Sequence, residues 1–227
     1  MTRRRWTGAS LRGLLRAPRP GGSRAMKLYH SPTSPYVRKV MLVLHETGLV
    51  DSVTLVPASG TPLEPAQGLL SANPLGKVPA LERADGPTLY DSRVICRYLD
   101  SVHDGRRLYP EGAALFTTLT LEALADGALD AALLAIYESR LRPEAIRFQP
   151  WVDGQLDKVR RALDALEGAW LAHLRGPTDA GALAVAAALG YLDFRFPELA
   201  WREGRRGLAA WFETAATRPG FAETAPA

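Results

Sequence analysis

The stretch Asn73-Pro74-Leu75-Gly76-Lys77-Val78-Pro79-Ala80-Leu81, followed ten residues on by Asp91-Ser92, decides how the rest of the chain is read. A Val-Pro step interrupts a run that otherwise reads as a strand. Proline has no N–H to give a ladder, so in a central strand it removes a hydrogen bond. The step makes sense if the backbone of Val78 serves something outside the protein. A cis Val78–Pro79 bond, a geometry rarely kept by accident, would aim the N–H and C=O of Val78 at an extended, peptide-like ligand. Asp91-Ser92 then opens a helix, where free N–H groups and the positive end of the macrodipole gather a carboxylate. Together the two points ask for a small peptide with a free carboxylate at one end.

Upstream of this stretch, Lys27 to His30 is a short alternating strand and Ser31-Pro32-Thr33-Ser34-Pro35 a loop. Ser34-Pro35 reads as N-cap and first position of a helix. Tyr36, Val40, Val43 and Leu44 recur at helical spacing until Gly48, a good residue just past a helix end. Val53 to Val56 is a second strand and Pro65 to Ala72 a short helix. Lys77 to Leu81 and Thr88 to Tyr90 are expected as strands around an Asp85-Gly86 turn, and Ser92 to Val102 as a helix. This β-α-β-α-β-β-α order predicts a thioredoxin-like unit.

Downstream, Arg106 to Gly112 reads as a linker, and everything after it as helical. Helices are expected over Ala113–Arg140, Pro150–Leu174, Ala182–Phe194 and Arg205–Thr217. Leu183, Ala186, Ala187, Gly190 and Tyr191 suggest that the third of these is fully buried and tightly crossed. The predicted fold class is α/β plus all-α. The expected division is an Arg-rich extension (1–25), a thioredoxin-like domain (26–105), a linker (106–112) and an all-helical domain (113–222).

The chain has 227 residues and a formal charge of +4, which misleads. Residues 1–25 carry seven Arg and no acid; the remainder has 21 basic and 24 acidic residues, a balance of −3. Nothing in 26–227 argues for nucleic-acid binding. For the tail, a targeting segment, an electrostatic anchor and a nucleic-acid arm compete with a disordered extension or an upstream start, Met26 being the true beginning; the last is favoured because a strand follows Met26 at once. No run approaches the length of a membrane span. A single cysteine, Cys96, excludes an intrachain disulfide and a CxxC motif, and the four histidines form no HExxH pattern, so no metal centre is expected.

The thioredoxin-like half, the Val78-Pro79 step, Asp91-Ser92 and the all-helical second half together resemble the glutathione S-transferase superfamily over about residues 26–222. Ser31-Pro32-Thr33-Ser34-Pro35-Tyr36-Val37-Arg38-Lys39, with Glu122-Ala123-Leu124-Ala125-Asp126-Gly127 and Gly190-Tyr191-Leu192-Asp193-Phe194-Arg195, is similar to a bacterial branch in which serine stands where omega- and beta-type relatives place cysteine. The resemblance implies a homodimer with one glutathione site per subunit, no other cofactor, and a cytoplasmic, detoxifying role. Val78 would pair with the cysteinyl unit and Asp91-Ser92 would hold the γ-glutamyl end. One departure stands out: where the superfamily begins its central C-terminal helix with a Ser/Thr-x-x-Asp capping box, this chain has Asp179 and Ala182, so the reciprocal acid is missing, at an expected cost of about 1 kcal/mol.

Glutathione must be a thiolate to attack an electrophile, and a free thiol with a pKa of about 8.5 is mostly protonated at neutral pH. A hydroxyl donating to the sulfur contributes about 1.5–3 kcal/mol, or about one to two pK units. A helix N-terminus adds about 0.3–1 kcal/mol. Ser31, Thr33, Ser34 and Tyr36 all lie in reach. Ser34 is the first candidate and Thr33 the substitute, because Ser before Pro is also an ordinary N-cap. Lys77 is a candidate for the glycyl carboxylate. Asp126 and Asp130 share a helix face and are expected to be solvated or dimer-facing, Cys96 to be packed, and His30 to be structural.

The leading expectation is conjugation of glutathione to a small hydrophobic electrophile. Thiol-disulfide or dehydroascorbate reduction wants a cysteine at position 34, which is Ser. Glutathione-dependent peroxidase activity and a non-catalytic glutathione-binding or stress-response interaction protein are the alternatives.

Overall fold

A computed structural model of the chain describes residues 26–226; the Arg-rich extension predicted over 1–25 lies outside them. The first half is a three-stranded sheet flanked by helices. Strands β1 (Met26–His30), β2 (Val53–Pro57) and β3 (Ala80–Glu82) are arranged in the order β2-β1-β3. The pairing of β1 with β2 is parallel and that of β1 with β3 antiparallel, the mixed sheet the thioredoxin-like reading predicts. Helices α1 (Pro35–Glu46), α2 (Gln67–Leu70) and α3 (Ser92–Ser101) connect and cover it.

Two strand expectations shrink. The third strand begins at Ala80, not Lys77, because Pro79 has no N–H to extend the ladder. Thr88 to Tyr90 forms no strand; Leu89 makes a single bridge to Leu81, with N–H···O distances of 2.9 Å in both directions. Ser34 caps α1 as expected, its Oγ accepting from Val37 N at 3.3 Å. At the other end Gly48 adopts φ +68°, and Leu49 N reaches back to Leu44 O at 2.9 Å, closing the helix.

The second half is helical: α4 (Ala113–Arg140), α5 (Gln149–Gly168), α6 (Leu171–Leu174), α7 (Ala180–Arg195) and α8 (Arg206–Ala215). The single helix predicted over Pro150–Leu174 is broken at Ala169-Trp170 into α5 and α6. Trp170 N still bonds Ala165 O, at 3.1 Å, as the first helix ends. Helix α7 is buried along its whole run from Ala180 to Leu192. It crosses α4 closely: a Cβ at Gly181 would come within 2.9 Å of Thr118 O and 3.0 Å of Leu121 Cβ. Close approach of small residues is therefore the reason for the Ala/Gly composition of α7.

Asp179 caps α7 as predicted, Oδ1 accepting from Ala182 N at 2.8 Å. The missing reciprocal acid is offset in another way. Thr118 Oγ1 of α4 donates to Asp179 Oδ2, and His173 Nε2 lies 2.9 Å from the same oxygen. The cap is held by tertiary contacts instead of by its own helix.

One apolar core joins β1, α1 and α3 to α7, through Leu28, Val43, Ile95, Leu99, Leu183 and Ala187. A second, among α4, α5, α7 and α8, includes Leu129, Leu163, Val185, Leu189, Trp201 and Phe212.

Candidate functional site

Register alone brings the sequence candidates to one end of the sheet. Tyr29 pairs with Ala80 in the antiparallel β1–β3 ladder, so continuing the register sets Val78 opposite Ser31, just before Thr33 and Ser34. The antiparallel bridge Leu81–Leu89 likewise carries Asp91 alongside Pro79. The starts of α1 and α3 therefore open beside the same Val78-Pro79 turn. The Val78–Pro79 bond is cis, as expected from the sequence, and so is Tyr90–Asp91, which the sequence did not signal.

The turn is positioned by a residue that sequence reasoning passed over. Asn73 is buried, 2 % exposed. Its Nδ2 donates to Lys77 O at 2.7 Å, and its Oδ1 accepts from Leu75 N at 3.0 Å. An Asn ahead of Pro can bridge its own loop in this way, and that was the available signal. Lys77 itself is exposed. Among the described residues nothing hydrogen-bonds the N–H or C=O of Val78, although backbone polar groups are nearly always paired or solvated. Their partner must come from solvent or from a ligand.

At the start of α3, Asp91 is exposed and Oδ1 accepts from Arg93 N at 3.0 Å, so the N-cap reading holds. The N–H of Ser92 has no acceptor among the described residues; Ser92 is 2 % exposed, and its hydroxyl, which makes no hydrogen bond there, keeps access to solvent, since no buried side-chain polar atom among the described residues lacks a partner. Asp91 satisfies one N–H of the helix end and leaves that of Ser92 without an acceptor among the described residues.

At the start of α1, the hydroxyl candidates separate. Ser34 Oγ uses a lone pair to accept from Val37 N; capping consumes an acceptor site, and the O–H stays free to donate. Thr33 Oγ1 is 3.3 Å from Ser31 Oγ, which also receives Ser59 Oγ at 3.3 Å. Tyr36 is turned away, its O–H donating to Asp130 Oδ1 of α4. Burial, then that hydrogen bond, raises the Tyr36 phenol well above its ordinary range. The Tyr36 N–H has no acceptor among the described residues, so α1 also presents an open amide.

Behind these three openings lies a buried ion cluster. Lys39 Nζ contacts Glu122 Oε1 at 3.0 Å and Asp126 Oδ1 and Oδ2 at 2.9 and 2.8 Å, and all three residues are 1 % exposed. Arg93 Nε reaches Asp126 Oδ2 at 2.7 Å, and Tyr109 Oη donates to Glu122 Oε1 at 3.0 Å. Burial pulls the Lys39 ammonium down, but the facing carboxylates outweigh it and hold its pKa above the ordinary lysine value. The expectation for Asp126 is thus corrected: it is neither solvated nor dimer-facing, because Lys39 and Arg93 take it inside. Asp130 is exposed, as expected.

Cys96 is fully buried, and burial raises its thiol far above the reactive range; it is a packing residue, as predicted. Burial lowers the His30 pKa, and its carbonyl receives Ala58 N at 2.8 Å. Among the described residues no helix is long and apolar enough to cross a membrane.

Comparison with known proteins agrees with this architecture. Residues 33–102 match the family model for the glutathione S-transferase N-terminal domain, and residues 149–214 that for the C-terminal domain. The chain is 35% identical over 205 residues to the uncharacterized GST-like protein YibF of Escherichia coli strain K12, covering 88% of this chain and 98% of that one. A glutathione transferase family member from Pseudomonas fluorescens Pf-5, solved with bound glutathione, superposes with a TM-score of 0.87 at 49% identity, over 89% of this chain and 99% of the other. A glutathione S-transferase from Methylobacillus flagellatus KT, also with glutathione bound, gives a TM-score of 0.80 at 36% identity, over 89% and 100% of the two chains. A thioredoxin-like sheet, an all-helical second half and relatives matched nearly end to end lead to one conclusion: the chain belongs to the glutathione S-transferase family.

Proposed function

We propose that the protein binds glutathione as an activated thiolate and conjugates it to a small hydrophobic electrophile. The observation that carries this reading is a set of groups at one end of the sheet without a partner among the described residues: the N–H and C=O of Val78, the N–H and hydroxyl of Ser92, and the O–H of Ser34. Val78 would pair in strand fashion with the cysteinyl unit. The α-carboxylate of the γ-glutamyl end would sit on the α3 N-terminus at Ser92, and its ammonium against Asp91. Lys77, exposed beside the turn, would meet the glycyl carboxylate.

In this proposal the glutathione thiol loses its proton to solvent, and Ser34 stabilises the sulfur anion by donating its O–H, with the open end of α1 assisting. The sulfur then attacks an electrophilic carbon; the S–C bond forms as the leaving group departs with its electron pair. Serine donates a hydrogen bond and forms no covalent intermediate. A hydroxyl worth about 1.5–3 kcal/mol to the anion brings the thiol to near neutrality, sufficient without a protein base. A solved relative from Pseudomonas fluorescens Pf-5, at 48% identity, carries S-(propanoic acid)-glutathione, a thioether of glutathione. That ligand supports a site able to retain an S-substituted product.

We extend the proposal to a cytoplasmic, detoxifying homodimer with domains meeting at 106–112, for which exposed Tyr90, Val94 and Phe116 supply apolar surface. The test compares wild type, Ser34→Ala and Thr33→Ala with glutathione and dinitrochlorobenzene. We expect kcat/KM to fall by about 10- to 100-fold in Ser34→Ala, with glutathione affinity retained and Thr33→Ala near wild type. Unchanged rates in both variants would refute the hydroxyl mechanism.

A further inference from the structure

A cavity lies among α1, α7, α8 and the C-terminal segment, and none of its lining residues belongs to the proposed glutathione site. Its volume is about 370 Å³. It exists because small side chains face each other across it. Ala182 and Ala186 stand one turn apart on α7, opposite Ala210 and Ala215 of α8. Against α4 the small residues of α7 permit close contact; against α8, small meets small, and the space stays open. Leu183 and Trp211 add apolar lining.

The wall formed by the C-terminal segment is fixed in place. The Arg38 guanidinium lies 4.3 Å from the centre of the Phe221 ring, and its Nη2 donates to Phe221 O at 3.1 Å. Arg218 grips Glu46 with Nε and Nη2 at 2.6 and 2.7 Å. The cavity is therefore preformed, which lowers the ordering cost of binding. Its volume falls within the ~300–1,000 Å³ range of ligand sites and exceeds the ~150 Å³ that accepts benzene, so it suits one or two fused rings.

Charge selects the ligand further. Two arginines line the cavity, and Arg218 is already neutralised by Glu46. Arg175 is exposed and makes no ion pair or side-chain hydrogen bond among the described residues. Its planar fork matches a carboxylate, and Thr178 adds a hydroxyl to the lining. An apolar slot beside an indole, with one free guanidinium, fits a flat ring that bears one anionic group. We propose that this cavity binds a small aromatic carboxylate, independently of glutathione.

The test titrates the full-length protein with naphthoate and with uncharged naphthalenemethanol by calorimetry, then repeats the naphthoate titration under saturating S-hexylglutathione. We expect naphthoate to bind at one site, at least about tenfold more tightly than the alcohol, and to be unaffected by S-hexylglutathione. Arg175→Gln should reduce its affinity to that of the alcohol. Ala210→Trp, a substitution at an exposed position that fills the space from the α8 side, should abolish binding while thermal unfolding shows the fold retained. Equal affinity for acid and alcohol, unchanged naphthoate binding in either variant, or displacement by S-hexylglutathione would each overturn the proposal.

Discussion

The buried seam between α1 and α4 and the open end of the sheet lie within a few residues of each other along α1 and α3, yet they treat polar groups in opposite ways. In the seam, Lys39, Glu122, Asp126, Arg93 and Tyr109 satisfy one another. At the open end, Val78, Ser92 and Ser34 keep groups with no partner among the described residues. The two helix caps show the same contrast. Asp179 is 6 % exposed and receives Ala182 N, Thr118 Oγ1 and His173 within the fold. Ser34 receives one N–H at 3.3 Å and retains its proton. A polar group closed inside the protein is a structural element; one left open at the end of a sheet is available to a ligand.

The contrast is sharpest if the seam is broken from one side. Lys39→Met should destabilise the fold by about 3–5 kcal/mol, since it strands Glu122 and Asp126 without their cation; denaturant unfolding measures this. Because the folded pKa of Lys39 is raised, the stability it contributes is present in full below the unfolded lysine value of about 10.4. It fades only as pH rises through the folded value. Unfolding free energies followed from pH 7 into the alkaline range should show that loss in wild type and not in Lys39→Met.

Asp179→Ala comes next. It removes the cap of α7 and the acceptor of buried Thr118, and about 2–3 kcal/mol of stability should go with them, measured the same way. Ser34→Ala, the corresponding change at the open end, should cost only about 0.5–1 kcal/mol in stability while removing most of the thiol activation. If Ser34→Ala destabilised the protein as much as Asp179→Ala, the distinction between the two caps would fail.

Much of this was legible in the sequence, for identifiable reasons. Ser34-Pro35, Gly48 and Asp179 are local signals, and each sits at the helix end it predicts. The cis bond followed from one dipeptide, Val78-Pro79, in strand surroundings. The length of β3 did not follow, because Pro79 has no N–H and delays the start of the ladder from Lys77 to Ala80. The break at Ala169-Trp170 was hidden by an apolar period that continues through it. The seam was least legible. Lys39 and Asp126 are 87 positions apart, and on a helix an acid that will be buried against a distant lysine looks the same as one in water. Asp126 was therefore misread, whereas Asp130, one turn on, was read correctly. The residues of the proposed site could be singled out in the sequence because the roles proposed for them rest on backbone chemistry and helix ends; the role of Asn73 in holding the turn emerged only from its hydrogen bonds to Lys77 and Leu75.

The account stands most directly on the state of the bound sulfur. The thiolate absorbance of glutathione should be titrated against pH on wild type and Ser34→Ala side by side. A pKa near neutrality is expected in wild type, and one about one to two units higher in the variant. A bound thiol that titrates at its free value of about 8.5 in both proteins would contradict it.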